Sequence, residues 1–435
     1  MNKLFTLFSM YIAAEVFCYI SHSTHYSILN SFKYCKKNKH IKDKGKLRKY
    51  VKTLKHDMIN HMKNMCFQVN CILHNNSGIL TKSKMYDIIK YCMYFPYHNS
   101  VSQCNHIDDV VKVYEKNNSN GSLKIIKSNE NFNANFHISK NTKKTIIHDN
   151  ELVVWYKPLP IILIFESIVF YTDLTMLHSG FSKVRCSNGL VLWYRKGTKY
   201  IDNCITFVHG GAGGIVFHME LLKKIPREYS LLVPELPGIS FGNRVYIPPT
   251  VRQMSRSIAK FIVKNNMKKL QLMSHSFGGN IVSCVINNYH NYFAKNNVNI
   301  INTTLVEPII FMSTLPFISK ILTVELNNSE ILYFLANDKL RLMSYWIMFR
   351  DIYIQHYSKC FTILDCLLGI TEYEKNNTIN IVLSENDELV NCDECVTYLK
   401  NKQYRANIKI FQDNMHGAFC FDGHMQSYAV SLLKN

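Results

Sequence analysis

Six short apolar runs between residues 204 and 417 constrain the fold of the chain more than any other feature of the sequence. Each run ends in polar residues or glycine, and helical stretches separate them. They are CITFVHGG (204–211), SLLVPELPG (230–238), LQLMSHS (270–276), INTTLVEP (301–308), INIVLSEND (379–387) and NIKIFQDNMHG (407–417). Continuous apolar strands of this kind are typical of a parallel sheet covered on both faces. We therefore predict an α/β fold with a mostly parallel central sheet and helices on both faces.

Two further segments support this pattern. GLVLWYRKG (189–197) has the character of a hairpin strand. Thr250 can cap a helix in which Met254, Ile258, Phe261 and Ile262 recur at helical spacing. In such a sheet the ligand crevice lies beyond the carboxyl ends of the strands. The residues of chemical interest at those ends are His209 with its glycines, Ser276, Glu307, Asp387 and His416.

The turn SHSFGG (274–279) follows one of the predicted strands and is a candidate position for a nucleophile. A serine on a tight strand-to-helix turn needs small residues two places before and after it, because the backbone is crowded there. Ser276 has Ser274 and Gly278 at those places, whereas Ser274, the other candidate, has Leu272 two places before it. A helix N-cap is the competing interpretation of this serine. The Gly-rich run HGGAGG (209–214), one strand–helix–strand–helix block earlier, favours the nucleophile.

These motifs resemble the α/β-hydrolase fold superfamily, and specifically its lipase- and esterase-like serine hydrolases, over about residues 186–435. SHSFGG is similar to the GHSFGG common in that family, with Ser274 in place of the first glycine. The resemblance implies an oxyanion hole built from the N–H of Gly211 or Ala212 together with that of Phe277. PELPGISFG (234–242) is similar to a turn of the family but departs from it at Glu235 and at Ile239–Ser240, so we interpret it as a fold marker.

The resemblance also implies a base and an acid late in the chain. His416 follows the last predicted strand and is the candidate base, while His356 and His424 do not lie at strand ends. Asp387 ends the penultimate strand and is the candidate acid that orients the imidazole. Glu307 is the alternative acid, because some family members take it from the strand before the lid. His209 is expected to be structural.

The segment of about 309–378 is too long to be a plain connection between two strands. It is predicted to form a helical lid rich in Leu, Ile, Phe and Met. An apolar lid suggests a lipid or other hydrophobic acyl substrate. The predicted activity is cleavage of a carboxylic ester through an acyl-enzyme, with no metal and no organic cofactor implied. The alternatives are an acyltransferase or thioesterase using the same three residues, and a membrane-tethered protein of this fold that binds without catalysis.

The first 22 residues are predicted to be a membrane anchor. Leu4 to Ile20 is apolar apart from small polar residues and Glu15, although about 17 residues is the lower limit for a span. A cleaved secretory signal is the alternative. The segment 33–56 holds eleven Lys or Arg and one acid. Basic residues directly after the apolar segment favour an uncleaved anchor with the catalytic domain on the cytoplasmic side. They also favour contact with lipid headgroups rather than with nucleic acid. A solvated basic linker is the competing interpretation.

The remaining segments carry less information. Residues 23–150 form a basic and polar region, expected to be largely helical, to which we assign no chemistry. Residues 151–185 contain a second apolar stretch, PLPIILIFESIVFYTDLTML (158–177), interrupted by Glu166 and Asp173. These charges favour an interfacial or core-covering helix over a full span. The sequence leaves the oligomeric state open.

Overall fold

A computed structural model describes residues 2–31, 79–81, 124–126, 154–211, 213–241, 247–311, 332, 335–336, 351–360, 378–387, 389–401 and 404–433. The chain divides into two compact units. The first comprises residues 1–31, 152–313 and 327–435, and the second comprises residues 32–151 and 314–326. In the second unit, β1 (Ile79–Thr81) pairs with β2 (Lys124–Ile126) in parallel.

The first unit contains an eight-stranded sheet. Its strands are β3 (Ser182–Arg185), β4 (Val191–Arg195), β5 (Tyr200–Val208), β6 (Tyr229–Glu235), β7 (Lys269–His275), β8 (Asn299–Val306), β9 (Ile379–Ser384) and β10 (Ala406–Phe411). They lie in the order β10-β9-β8-β7-β5-β6-β4-β3. Only β4 runs antiparallel to its neighbours β3 and β6, and the other pairings are parallel. The mostly parallel sheet predicted from the apolar runs is confirmed.

Eight α-helices are described. They are α1 (Asn2–Ser31), α2 (Leu159–His178), α3 (Met219–Lys224), α4 (Val251–Lys264), α5 (Gly278–Lys295), α6 (Ile352–Cys360), α7 (Cys392–Asn401) and α8 (Gly423–Ser431). Two 3₁₀ helices, Gly214–His218 and Ala418–Cys420, follow the turns after β5 and β10. The predicted cap of α4 is confirmed, because the Thr250 hydroxyl and the Gln253 side chain form a reciprocal capping box.

Successive residues of the strands contribute to two separate hydrophobic cores. In β6, Leu232 packs into one core, while Leu231 and Val233 pack into the other. The first core also takes buried residues of α4, α5 and α7, and the second those of α2, α3 and α8. Because side chains on a strand alternate between its faces, each core lies on one face of the sheet. The prediction of helices on both faces is confirmed.

Helix α2 begins where α1 supplies a hydrogen-bond acceptor for its first free N–H group. The Glu15 carboxylate accepts from the Leu159 N–H at 3.0 Å and from the Tyr156 hydroxyl at 2.8 Å. A carboxylate at a helix N-terminus also interacts favourably with the helix dipole. The helix ends at His178, and Gly180, just past the C-cap Ser179, has a φ of +85°, a conformation that glycine adopts without steric cost.

Among the helices with described side chains, α2 is long and apolar enough to cross a membrane by length and composition. Only 17% of its most apolar stretch is buried. The interfacial or core-covering placement of this helix, which Glu166 and Asp173 favour, stays a prediction. Helix α1 continues to Ser31, past the predicted boundary at residue 22.

Several sequence predictions fall largely on residues outside the described ranges. These are the basic cluster 33–56, almost all of the region 23–150, and most of the lid at 309–378. Within the lid, the described helix α6 packs Ile352, Tyr353 and Tyr357 into the core.

Candidate active site

Ser276 lies on the tight turn between β7, which ends at His275, and α5, which begins at Gly278. Its φ is +47°, in the left-handed region that residues with a side chain rarely occupy. The Ser276 N–H donates to the carbonyl of Val306 on the neighbouring strand at 2.8 Å. That bond fixes the turn in place. Backbone strain of the kind that the positive φ of Ser276 represents costs about 1–3 kcal/mol and is commonly found at functional sites.

The crowding that the sequence predicts around this turn is severe on its C-terminal side. A Cβ atom at Gly278 would lie 2.2 Å from the carbonyl oxygen of Val208, so only glycine fits there. A Cβ at Gly210 would lie 3.1 Å from the Cβ of Ser276. The glycine-rich loop after β5 therefore approaches the Ser276 turn closely because it carries no side chain at this point.

Three predicted site residues form one hydrogen-bonded relay. Ser276 Oγ lies 2.9 Å from His416 Nε2, and His416 Nδ1 lies 2.7 Å from Asp387 Oδ2. The three residues come from turns that follow β7, β9 and β10, and are up to 140 positions apart in sequence. With the proton of the neutral ring on Nδ1, His416 donates to Asp387, and its Nε2 is free to accept the serine proton.

Asp387 is itself held in position by the backbone. Its Oδ1 accepts from the N–H groups of Leu389 and Val390, each at 2.7 Å, which leaves Oδ2 for the imidazole. For His416, burial disfavours the charged ring. The hydrogen bond and negative charge of Asp387, with the charge of Glu307, outweigh that effect and raise the pKa of His416. The relay therefore stabilises an imidazolium.

The alternative acid Glu307 contacts a different histidine. Its Oε2 accepts from His275 Nε2 at 2.7 Å and from the Gly417 N–H at 2.8 Å, and its Oε1 accepts from the Ser384 hydroxyl. Glu307 is fully buried, and its φ is +47°. Burial alone would raise the pKa of this carboxyl, but the hydrogen bond and charge of His275 dominate and lower it to about 2. In the structure, therefore, the carboxylate bonded to His416 is that of Asp387 and not that of Glu307.

His209 has a structural environment. Its Nε2 accepts from the Leu236 N–H at 3.0 Å, so its proton lies on Nδ1, which donates to the Gly210 carbonyl at 2.7 Å. Burial lowers the pKa of His209 to about 4, so the ring is neutral at pH 7. Glu235, in the turn interpreted as a fold marker, is buried and accepts from Trp193 Nε1 at 3.0 Å. Neither residue contacts the relay.

Two backbone donors lie at the positions predicted for an oxyanion hole. Within the part of the chain that the structure describes, the N–H groups of Phe277 and Gly211 donate no hydrogen bond. Phe277 is the N-cap residue of α5, where the positive end of the helix dipole favours negative charge. The third predicted donor, Ala212, lies outside the described residues.

Sequence reasoning missed a cavity of about 340 Å³ beside the glycine-rich loop. Its lining includes Gly213 of that loop and Ile354 of α6, whose Cδ1 lies 4.0 Å from where a Gly211 Cβ would be. The apolar side chains around it include Phe17, Trp155, Ile162, Phe165, Phe241 and Ile354, and the polar ones include His22, His25, Lys157 and Asp351. The aromatic residues of α1 carried no sequence signal for this role, because they are indistinguishable from those of an anchor.

Comparisons with known proteins reach this chain only through its structure. No family model matches the sequence, and no curated protein matches it. A haloalkane dehalogenase of Bradyrhizobium elkani is similar with a TM-score of 0.42 and 10% identity, over 58% of this chain and 97% of the other. A lipase-esterase related protein of Clostridium acetobutylicum is similar with a TM-score of 0.38 and 20% identity, over 58% of this chain and 98% of the other.

A structure described as a membrane phospholipase A gives a TM-score of 0.38 at 13% identity, over 62% of this chain and 94% of the other. With TM-scores below 0.5, these similarities support no inference about substrate. The architecture follows instead from the strand order, with a single antiparallel strand, and from the strand-to-helix turn after β7. The domain that carries Ser276 has the α/β-hydrolase fold.

Proposed function

We propose that this protein is a serine hydrolase that cleaves carboxylic esters, with Ser276 as nucleophile, His416 as base and Asp387 as the acid that orients the base. The observation that carries the proposal is the continuous relay from Ser276 Oγ through both nitrogens of His416 to Asp387, with distances of 2.9 and 2.7 Å. A helix N-cap would explain a serine at this turn, but it would not explain a histidine and a carboxylate aligned behind the hydroxyl.

The chemistry follows from the protonation of the relay. His416 Nε2 takes the proton of Ser276 as Oγ attacks the ester carbonyl, and Asp387 stabilises the resulting imidazolium. The proton then passes to the leaving alcohol as its bond to the carbonyl carbon breaks, which leaves an acyl group on Ser276. A water gives its proton to His416, attacks the acyl group and releases the acid. The serine regains its proton in the same step.

The negative charge that develops on the carbonyl oxygen needs donors that have no other partner. The N–H groups of Phe277 and Gly211 meet this requirement among the described residues. Backbone donors held by a strained turn and by the start of a helix need no reorganisation when the charge develops. We assign the oxyanion hole to these two groups, with Ala212 as a further candidate.

The cavity beside the glycine-rich loop supports an amphiphilic substrate. Its volume of about 340 Å³ is in the range of small-molecule sites. Phe17, Trp155 and Phe165 offer apolar lining, whereas Lys157 and Asp351, which also line the cavity, form an ion pair. An acyl chain can lie along such a lining while a polar group remains near the ion pair. We therefore propose a lipid ester or a similar hydrophobic acyl ester.

Reaction with a fluorophosphonate probe tests this proposal. We expect the wild type to be labelled and Ser276→Ala to remain unlabelled, because only an activated serine attacks the probe. Ser274→Ala is the matched control, since Ser274 is also buried and lies two residues away; it should keep its labelling. Folded wild type that stays unlabelled both with and without detergent would contradict the proposal and favour a binding protein of the same fold.

Acyl transfer to an alcohol and thioester cleavage use the same acyl-enzyme and remain alternatives within this mechanism. They differ only in the second step or in the leaving group. Product analysis with a long-chain ester, in the presence and absence of a long-chain alcohol, separates hydrolysis from transfer.

A membrane surface is the proposed location of the enzyme. Helices α1 and α2 expose large apolar side chains on the same domain, among them Phe17 at 72% and Phe170 at 66% of full exposure. The segment 33–56, with eleven basic residues and one acid, follows α1 directly and is complementary to anionic headgroups. We propose that this apolar surface lies in the lipid interface, with the catalytic domain on the cytoplasmic side.

Vesicle flotation tests this location. We expect wild-type protein to float with vesicles, more strongly when they contain phosphatidylserine, and Leu163→Glu/Phe170→Glu to lose at least tenfold in partitioning, because two charges would enter the apolar interface. Ile201→Glu is the matched control: Ile201 is also exposed but lies in β5, and it should float like the wild type. Equal flotation of the double variant would refute the assignment of this surface.

A further inference from the structure

A second cluster of chemically active side chains lies directly behind the Ser276 turn. His218 Nε2, His275 Nδ1 and Cys420 Sγ all lie within 4.8 Å of one another. His275 immediately precedes Ser276, His218 ends the 3₁₀ helix after the glycine-rich loop, and Cys420 lies four residues after His416. Both histidines are buried, and the cysteine is half-buried. None of the three takes part in the relay.

The outward-facing nitrogens of both rings are bonded to acceptors. His275 Nε2 lies 2.7 Å from the Glu307 carboxylate, and His218 Nδ1 lies 3.0 Å from the Gly214 carbonyl. Each of these nitrogens must therefore carry a proton. Histidines that bind metals characteristically donate their second ring N–H to a carboxylate or a backbone carbonyl, which fixes the tautomer and orients the ring.

The inward-facing nitrogens then present an electrostatic conflict. When both rings are neutral, each carries its single proton on the outward-facing nitrogen. His218 Nε2 and His275 Nδ1 then both hold a lone pair, and these two atoms face each other at a distance of 3.0 Å. The sulfur of Cys420 lies 3.7 Å from the first and 4.0 Å from the second. A thiol can donate one weak hydrogen bond, which cannot satisfy both nitrogens. A cation between the three atoms would remove the repulsion.

The donor set and its dimensions match a tetrahedral zinc ion. Zinc–nitrogen and zinc–sulfur bonds of about 2.0–2.1 and 2.3 Å imply edges of about 3.3 Å between two nitrogens and about 3.6 Å between nitrogen and sulfur. The edges in this cluster are 3.0, 3.7 and 4.0 Å. Two imidazoles and a thiolate are ligands that zinc prefers. The charge also balances, because the thiolate and Glu307 together offset a divalent cation.

We propose that His218, His275 and Cys420 bind one Zn²⁺ ion, with Glu307 and the Gly214 carbonyl holding the two imidazoles in the ligating orientation. Binding displaces the thiol proton of Cys420 to solvent, and the fourth position is open to water. The ion would connect the glycine-rich loop, the Ser276 turn and the segment after His416. This proposal does not depend on the hydrolase assignment, because metal binding is measured directly.

Metal titration of the full chain tests the site. Protein stripped of metal with a chelator is titrated with Zn²⁺ alone by calorimetry, and with Co²⁺ followed by absorption spectroscopy. We expect the wild type to bind one equivalent that Cys420→Ser does not bind with comparable affinity, a loss of at least tenfold. The thiolate-to-cobalt charge-transfer band should disappear in that variant, and the melting temperature of the wild type should rise with Zn²⁺.

Two further variants sharpen the test. Cys186→Ser replaces another half-buried cysteine and should keep both the equivalent and the cobalt band. Glu307→Gln should weaken Zn²⁺ binding by about 10–100-fold while retaining the band, since it changes only the partner of a ligand. Folded wild type without a thiolate–cobalt band, or a band unchanged in Cys420→Ser, would overturn the proposal. A shared proton between the two rings would then be the occupant.

Discussion

Alanine at Ser276 or at His416 is expected to lower kcat/KM for a long-chain ester by on the order of 10⁴–10⁶, and the double variant by no more than either single one. The non-additivity is the more specific part of this expectation. Oγ and Nε2 lie 2.9 Å apart and act in one proton transfer, so removing either atom removes the whole step. Steady-state kinetics on the three variants, with active-site titration of the wild type, measure the effect.

Ser274→Ala provides the control for damage to the turn. Ser274 is fully buried in β7, and its hydroxyl has no hydrogen-bond partner among the described residues, so its loss should change kcat/KM less than tenfold. If the effects of Ser276→Ala and His416→Ala multiply in the double variant, the two residues do not act in the same step. The proposed roles would then be wrong, even though the side chains are adjacent.

Asparagine at Asp387 is expected to lower kcat/KM by on the order of 10³–10⁴, whereas glutamine at Glu307 should lower it at most tenfold. An amide nitrogen facing His416 Nδ1 would favour the ring tautomer that carries its proton on Nε2. That tautomer cannot accept the proton of Ser276. The asparagine oxygen can still accept from Leu389 and Val390, so the loop should keep its geometry.

Glu307→Gln changes a carboxylate that borders the relay but is bonded to none of its three side chains. Glu307 bonds to His275, Gly417 and Ser384, so its replacement should reduce the melting temperature more than the rate. Kinetics and thermal unfolding of both variants separate the two roles. A larger rate loss in Glu307→Gln than in Asp387→Asn would reverse the assignment and make Glu307 the acid.

The sheet and the placement of the relay residues could be predicted because both depend on local patterns. The apolar runs define strands, and a parallel sheet brings the carboxyl ends of its strands to one edge. Asp387 and His416 follow the last two strands, and the resemblance to the α/β-hydrolase superfamily implied an acid and a base at those places. The small residue required at Gly278 was expected from the tight turn, although the atom that excludes a side chain there is distant in sequence: the carbonyl oxygen of Val208 would lie 2.2 Å from its Cβ.

The features that could not be predicted from the sequence depend on contacts between residues that are far apart in the chain. Glu15 interrupts an otherwise apolar run, and nothing near it indicates that it accepts from Leu159, 144 positions later. His218 is an isolated histidine in the sequence, and its proximity to His275 and Cys420 requires three distant segments of the chain to meet. The cavity draws on α1 and on α6, which no pattern connects. In each case the sequence shows one residue but does not indicate which other residue it contacts.

The cavity wall also sets an order of events during synthesis. Phe17 and His22 are made more than three hundred residues before Asp351 and Ile354. Because a chain leaves the ribosome from its N-terminus, α1 must remain without these partners while the intervening residues are made. At about 5–20 residues per second, this interval lasts tens of seconds. Under the proposed membrane location, contact of α1 with lipid would cover its apolar side chains during this interval.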